Sequence, residues 1–187
     1  NIVLTVMRNQ RRKLFPDLIE GFDLFLKNCV KSGNIDLAQN TYLYLHTSYP
    51  DVGFDIGKHI MAHGLGHKIY MTYICNQCHS WYPATFQGEL THCQKCGALA
   101  AHCPNTANGI SDEDLCKLYN VSDIYVQMTI SEGLCMPTCE AKACGIPIIG
   151  TDYSAIGDQV NEPGGFPIKV SKRFWEPVIE TEQSRAL

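Results

Sequence analysis

Short apolar runs that alternate with stretches of helical periodicity set the strongest limit on how this chain folds. The predicted strands are residues 2–6, 41–46, 68–72, 123–128, 146–150 and 167–170, and the predicted helices lie near 15–30, 56–65, from Ser111 onward and near 137–144. The continuous apolar run at residues 2–6 is typical of a strand buried on both faces. Strict alternation of strand and helix predicts a doubly wound, Rossmann-like α/β domain with a parallel sheet.

Length, apolar content and charge argue against several other classes of protein. The chain has 187 residues, which allows one domain with a small insertion at roughly 100–200 residues per domain. No apolar run approaches the roughly 18 residues of a membrane span, and no secretory signal is visible. We therefore expect no membrane span and a cytoplasmic location. The net charge of −4 argues against a nucleic-acid partner, since such binding depends on clustered Lys and Arg.

Two cysteine pairs predict a metal site. Cys75 and Cys78 form one Cys-x-x-Cys turn, and Cys93 and Cys96 form a second turn after 14 residues. This spacing is typical of a four-cysteine structural zinc site, in which two turns complete a tetrahedron. A disulfide interpretation is weaker in a reducing compartment, and a redox motif needs only one pair. Four thiolates leave no open coordination position, so we expect no catalytic metal.

The segment around these cysteines is interpreted as an insertion. Residues 73–108 lack the periodicity of their neighbours, and we expect them to form a zinc-ribbon-like unit between the two parts of the α/β domain, 1–72 and 109–187. So short a piece buries little core and needs its metal to fold. Four nearby side chains remain alternative ligands: His79, His92, His102 and Cys103.

Two loops at predicted strand ends carry the residues suited to chemistry. Residues 8–13, RNQRRK, place four cations directly after the first strand, where Arg and Lys can hold a phosphate. The alternative is a solvated basic turn. After the fourth strand, Glu132 and Glu140 flank the start of a helix. They offer acceptors for sugar hydroxyls beside backbone N–H donors for an anion; the alternative is two carboxylates stabilised by the helix dipole.

These loops together resemble a known family. Residues 131–152, SEGLCMPTCEAKACGIPIIGTD, resemble the Glu-x7-Glu donor-binding signature of family 4 glycosyltransferases, the retaining group with the GT-B fold. Residues 112–126 resemble the helix and strand that precede this signature, and residues 6–22 are similar to the opening strand, basic loop and helix of the family. The resemblance implies the C-terminal, nucleotide-sugar-binding half of a two-domain enzyme.

The resemblance also implies a role for each matching residue. Arg8 and Lys13 match the Arg-x4-Lys pair of the family and are expected to contact the donor diphosphate, while Glu132 is expected near the hydroxyls of the donor sugar. Charge on the leaving group would then be neutralised by the two cations. Neither Glu need be a nucleophile, because retention in this family is usually explained by front-face attack with a phosphate oxygen as base.

The helix start is expected to complete the donor site. The backbone amides of Gly133 and Leu134 match those that approach sugar and phosphate, and Glu140 matches the acceptor for the ribose hydroxyls. Cys135 stands where the family usually has a second Gly, and its larger side chain is expected to crowd the donor or alter which sugar fits. The insertion occupies the loop where the family reads the nucleotide base, so it either covers the base or docks a partner.

The sequence alone allows three competing interpretations of function. The first is a glycosyltransferase half. The chain begins at Asn1 rather than Met, and Ile2 already opens a strand, so we expect the N-terminal acceptor domain to be missing and the fragment, with half of the cleft, to be inactive alone. The second is a zinc-ribbon interaction module on an α/β scaffold, and the third is a catalytically dead relative. The segment 73–108 holds only one cation, Lys95, which disfavours the second interpretation for a nucleic-acid partner. The presence of Arg8, Lys13 and both glutamates favours the first interpretation over the third.

Overall fold

The structure, a computed structural model, describes residues 1–171 and the backbone of residues 175–176 and 185–186. The helices are α1 (Phe15–Lys31), α2 (Ile35–Gln39), α3 (Ile56–Ala62), α4 (Asp112–Asn120), α5 (Met136–Ala143) and α6 (Ser154–Val160). The strands are β1 (Ile2–Val6), β2 (Tyr42–His46), β3 (Ile69–Cys75), β4 (Trp81–Thr85), β5 (Leu90–His92), β6 (Leu99–His102), β7 (Ile124–Gln127), β8 (Ile148–Thr151), β9 (Gly165–Ile168), β10 (Trp175–Glu176) and β11 (Arg185–Ala186).

Six parallel strands form the body of the main sheet in the order β3-β2-β1-β7-β8-β9. Counted along the chain without the insertion, this is the 3-2-1-4-5-6 order of dinucleotide-binding domains. The predicted doubly wound α/β fold is therefore confirmed. Among the described residues, none of the helices has the length and apolar character that crossing a bilayer requires.

Two apolar clusters cover the two faces of the sheet. One joins α1 and α3 to β2 and β3 through side chains such as Phe15, Ile19 and Leu43. The other joins α4, α5 and α6 to β1, β7 and β8 through side chains such as Leu4 and Ile148. Alternate residues of β1 face opposite clusters because side chains alternate along a strand.

The helix boundaries follow local signals. α1 has Pro at its first turn and Lys31 in its last, and Gly33 follows it at φ +82°, a conformation that favours glycine. The Ser111 side chain accepts a hydrogen bond from the Asp114 N–H at the start of α4, as the sequence predicts. The five-residue α2 was not predicted, because so short a segment carries too little periodicity to be recognised.

The bounds of β8 and β9 differ from the predicted ones by two residues at their starts. β8 begins at Ile148 because Pro147 has no N–H to donate to the ladder. β9 begins at Gly165, where a Cβ would overlap the Val160 carbonyl, so the close turn from α6 requires glycine.

The largest difference is that β3 runs on to Cys75, three residues beyond the predicted end at residue 72. Ile69, Tyr70 and Met71 of β3 pair with β2, whereas Ile74 and Cys75 pair with β6. β4 pairs along β3 as far as Ile74, and a strand has only two edges. β6 therefore lies on the same side of β3 as β2, beyond the carboxyl end of β2, and the inserted strands extend the main sheet.

Candidate functional site

The loops after β1 and β7 meet at the point where the strand order reverses. Backbone hydrogen bonds join them, from Leu14 N–H to the Met128 carbonyl at 3.1 Å and from Ile130 N–H to the Arg12 carbonyl at 3.0 Å. Lys13 and Thr129 also form an isolated antiparallel bridge. Ligands of doubly wound sheets bind in the crevice at this reversal point, so the two candidate loops form one framework in the expected place.

Lys13 and Glu132 form an ion pair within this framework. The Lys13 side chain is 7% exposed and the Glu132 side chain 10% exposed. The same Glu132 oxygen lies 3.5 Å from Arg12 Nε and 3.3 Å from the Thr129 hydroxyl. The cation from the early loop and the first acid of the late loop thus converge, although they are far apart in sequence.

Arg8 has a different partner. Its Nε and Nη2 donate to the two carboxylate oxygens of Asp51 at 2.8 and 3.0 Å, and its side chain is 46% exposed. Asp51 also accepts a hydrogen bond from the Ser48 hydroxyl. Hydrogen bonding to the Arg8 guanidinium lowers the pKa of Asp51 to about 2. Sequence reasoning did not select Asp51, because its pattern is that of an ordinary turn residue; here it orients the guanidinium.

Glu140 lies on α5 and is held by a tyrosine of α4. The Tyr119 hydroxyl donates to Glu140 Oε2 at 2.8 Å. Burial raises the pKa of Tyr119 well above its usual value, so this hydroxyl stays protonated and remains a donor. The Glu140 carboxylate is half-buried, and this hydrogen bond fixes its Oε2. Its other oxygen can still accept a hydrogen bond from a ligand.

The turn before α5 contains the residues expected to present backbone amides. Cys135 has φ +62° and ψ 73°, a left-handed conformation that favours glycine. Its thiol is buried among the α4–α6 cluster, and burial raises its pKa. The Cys135 side chain therefore lies in the core, and any contact with a ligand would come through its backbone. Gly133 and Leu134 precede it in exposed positions.

A cavity of about 290 Å³, called here the edge cavity, opens at the carboxyl ends of β1 and β2. Its walls include Arg8, His46, Ser48, Asn105, Thr106 and Pro137. His46 was missed by the sequence analysis, although its place at the end of a predicted strand was a usable signal. Its Nδ1 lies 2.8 Å from the Thr72 hydroxyl, and burial lowers its pKa to about 4. The imidazole is therefore neutral near pH 7.

A larger cavity of about 440 Å³ lies on the sheet face beside α1. Its lining is mostly apolar and includes Val3, Phe22, Val126 and Ile149. Such a surface can bury apolar groups, but it supplies little that could hold a phosphate or a sugar hydroxyl.

The four cysteines of the two predicted turns lie together. Their sulfur atoms all lie within 4.8 Å of one another, with Cys75–Cys96 and Cys78–Cys93 distances of 3.7 Å. A tetrahedral ion with Zn–S bonds of about 2.3 Å places its sulfurs about 3.8 Å apart. These residues, called here the four-cysteine cluster, therefore fit zinc.

Backbone donors in the second turn support the same chemistry. Hydrogen bonds from the N–H groups of Cys96 and Lys95 lower the pKa of Cys93 to about 6, which favours its thiolate, whereas burial and the three neighbouring thiols raise the pKa of Cys96 to about 12. Gly97, directly after the second pair, has φ +75°, a conformation that favours glycine. The alternative ligands have other surroundings: His92 Nδ1 lies 3.0 Å from the Gly97 carbonyl, and the Cys103 thiol is buried.

Comparison with known proteins gives a partial sequence match. The family model described as glycosyl transferases group 1 matches residues 98–174. This range contains both Glu132 and Glu140 and excludes Arg8 and Lys13. None of the curated proteins compared matches the chain.

Solved structures match over most of the fold. The OtsA apo structure aligns with a TM-score of 0.57 at 11% identity, over 90% of this chain and 32% of that one. A trehalose-6-phosphate synthase, OtsA, gives 0.54 at 13% identity over 90% and 32%. The E. coli trehalose-6-phosphate structure bound with UDP-2-fluoro glucose gives 0.53 at 13% identity over 90% and 33%. At these identities the likeness concerns the fold, and the chain spans about a third of the length of each neighbour.

Proposed function

We propose that this chain is the donor-binding domain of a retaining glycosyltransferase that moves a sugar from a nucleotide-sugar to an acceptor. The observation that carries the proposal is the meeting of Lys13 with Glu132 at the reversal point of the sheet. The partial match to group 1 glycosyl transferases supports it, because both glutamates lie inside the matched range. One neighbour with the same fold is bound with UDP-2-fluoro glucose.

The cations would act on the donor diphosphate. Asp51 holds Arg8 just beyond the carboxyl end of β1, while nearly half of the Arg8 side chain stays exposed. The guanidinium is therefore oriented before a ligand arrives. Lys13 is nearly buried beside Glu132, where a charge acts through little water and is therefore strong. Together they would stabilise the charge that grows on the diphosphate as the glycosidic bond breaks.

The acids and the helix start would hold the sugar and the nucleoside. In this proposal Glu132 accepts hydrogen bonds from sugar hydroxyls, and the amides of Gly133, Leu134 and Cys135 approach sugar and phosphate at the start of α5. Glu140, fixed by Tyr119 at 2.8 Å, accepts from the ribose. The reaction would proceed by front-face attack with a phosphate oxygen as base, and neither Glu forms a bond to the sugar.

The four-cysteine cluster would hold a structural zinc ion. The sulfur spacing supports this assignment. Four thiolates would fill the tetrahedron, so the ion would stabilise the inserted strands and take no part in transfer.

The acceptor would bind to a separate N-terminal domain of the same protein. The chain spans about a third of each neighbour, and half of a cleft positions only one of two substrates. We therefore expect negligible transfer or hydrolysis by this chain alone, measured with radiolabelled nucleotide-sugars.

Thermal stabilisation by a panel of nucleotide-sugars and nucleoside diphosphates tests the proposal. A ligand at 100 times its Kd adds about 2.7 kcal/mol to the stability of the folded state, which raises Tm by several degrees. Lys13→Ala and Glu140→Ala should lose this response, while Lys58→Ala, on α3, should keep it. If no member of the panel raises Tm, or if both site variants respond as the parent does, the donor-site assignment is wrong.

A further inference from the structure

The inserted strands connect the four-cysteine cluster directly to the edge cavity. Cys75 is the last residue of β3, and it pairs with Ala101 of β6. β6 runs antiparallel to β3, so the chain that leaves it returns toward the carboxyl end of β2. Pro104, Asn105 and Thr106, which follow β6, line the edge cavity together with Arg8 and His46.

The His102 side chain contacts both the first cysteine turn and the segment that leads from β6 to the edge cavity. His102 Nε2 lies 2.8 Å from the side-chain oxygen of Asn76, which stands between Cys75 and Cys78. Its Nδ1 lies 2.7 Å from the Cys103 carbonyl, the group directly before Pro104. The Asn76 N–H also donates to the Ala100 carbonyl at 2.9 Å. A displacement of the first turn would therefore be passed to the start of the cavity wall.

The wall itself is a closed turn with a buried anchor. The Asn105 side chain accepts hydrogen bonds from the N–H groups of Ala107 and Asn108, each at 2.9 Å. The Cys103 side chain, directly before the turn, is 1% exposed and packs in the core. Residues 104–106 are thus held between the core on one side and the four-cysteine cluster, through β6, on the other.

We infer that metal binding at the four-cysteine cluster and nucleoside diphosphate binding in the edge cavity are positively coupled, with His102 as the positioning residue between them. The inference rests on the proposed function, because it takes the ligand of the edge cavity to be a nucleotide. Without metal the two cysteine turns have no ion to hold them together, so the 104–106 wall keeps its core anchor at Cys103 but loses the support that reaches it through His102 and Asn76. By linkage, each ligand must then raise the affinity of the other by the same factor.

The test compares nucleotide binding by the 187-residue chain with and without metal. UDP, ADP and GDP are titrated calorimetrically into zinc-loaded, desalted protein and into protein stripped with a chelator. The Kd of the tightest of the three should rise at least about fivefold on stripping and return when zinc is added back. In the reverse direction, saturating nucleotide should strengthen zinc binding by the same factor in a chelator competition.

The reverse experiment keeps the proposal testable if stripped protein unfolds, because it begins from the loaded, folded chain. Arg8→Ala, at a residue that lines the edge cavity, should bind zinc normally but show no effect of nucleotide on zinc affinity. His102→Ala should also keep zinc yet lose most of the coupling, with partial rescue by His102→Gln. His67→Ala, at an exposed histidine outside the insertion, serves as the matched control.

The possible failures are distinguishable. Equal nucleotide affinity in loaded and stripped protein, or zinc affinity unchanged by saturating nucleotide, would overturn the coupling while leaving the proposed function intact. Absence of binding by all three nucleotides to loaded protein would overturn both.

Discussion

Lys13 and Glu132 form a nearly buried ion pair that joins the loop after β1 to the loop after β7. The two residues are neighbours only because β1 and β7 are adjacent in the sheet. Removing two charges from water is costly, and such a pair often stabilises a fold less than apolar side chains of the same size would. We therefore explain its position at the reversal point of the sheet by the role in donor binding proposed above.

A double-mutant cycle on this pair tests that explanation. Lys13→Met and Glu132→Gln should each lower the free energy of unfolding, Lys13→Met by up to about 3 kcal/mol, because it leaves the nearly buried Glu132 carboxylate to the more distant Arg12 at 3.5 Å. The double variant should recover most of this loss and yet bind no nucleoside diphosphate. Urea denaturation and calorimetric titration give the two quantities. Strictly additive single effects would show that the pair is not coupled.

Glu140→Gln should weaken nucleoside diphosphate binding about tenfold, because hydrogen bonds to a charged acceptor contribute roughly 1.5–3 kcal/mol. The parent chain should also prefer the ribonucleotide to its 2′-deoxy and 3′-deoxy forms, and the variant should lose at least one of these preferences. Glu113→Gln, at an 82% exposed carboxylate on α4, is the matched control. Retained discrimination in Glu140→Gln would remove the ribose assignment.

Asp51 should contribute stability that depends on acid pH. Its pKa of about 2 in the folded chain lies below the usual value of about 3.9 for an unfolded Asp. The contribution is therefore fully present above about pH 4 and is lost as the pH falls toward about 2. Asp51→Asn should flatten the loss of stability between these values in denaturation curves, whereas Asp158→Asn, at an exposed position on α6, should not. An unchanged slope in Asp51→Asn would contradict the Arg8–Asp51 interaction.

Metal analysis should find about one zinc per chain, as one filled tetrahedral site requires. Cys75→Ser and Cys96→Ser should lose it, since a hydroxyl is a poor substitute for a thiolate ligand. Cys116→Ser, at an exposed cysteine on α4 outside the cluster, should keep it. The absorption of the cobalt-substituted protein distinguishes the variants, and zinc retained by both cluster variants would mean that other residues bind it.

Much of the fold could be predicted from periodicity alone. The continuous apolar run at β1, the helical spacing of α1 and the hydroxyl cap of α4 are local signals, and each lies where the sequence places it. The three strands of the insertion, β4 to β6, were not predicted, because their side chains do not alternate clearly and their order depends on pairing with β3.

For the candidate site too, some residues could be predicted from the sequence and others could not. The basic loop, the two glutamates and the four cysteines are marked by residue type and spacing, so they could be selected before any coordinates. Asp51 could not, since an Asp in a turn has many ordinary uses; His46 was missed although it ends a predicted strand, because a His at a strand end also has many ordinary uses. Their relevance comes from Arg8 and from the edge cavity, which are tertiary neighbours.

The sequence by itself determined which elements form and which residues carry suitable chemistry, because helix spacing, strand length and cysteine turns are properties of a few neighbouring residues. Only the tertiary structure decided that Lys13 meets Glu132, that the Cys135 thiol lies in the core, and that β6 brings the insertion to the edge cavity. These outcomes depend on strand order and on how β2, β4 and β6 share the two edges of β3. Such choices are made by packing between segments far apart in the chain, and no local pattern records them.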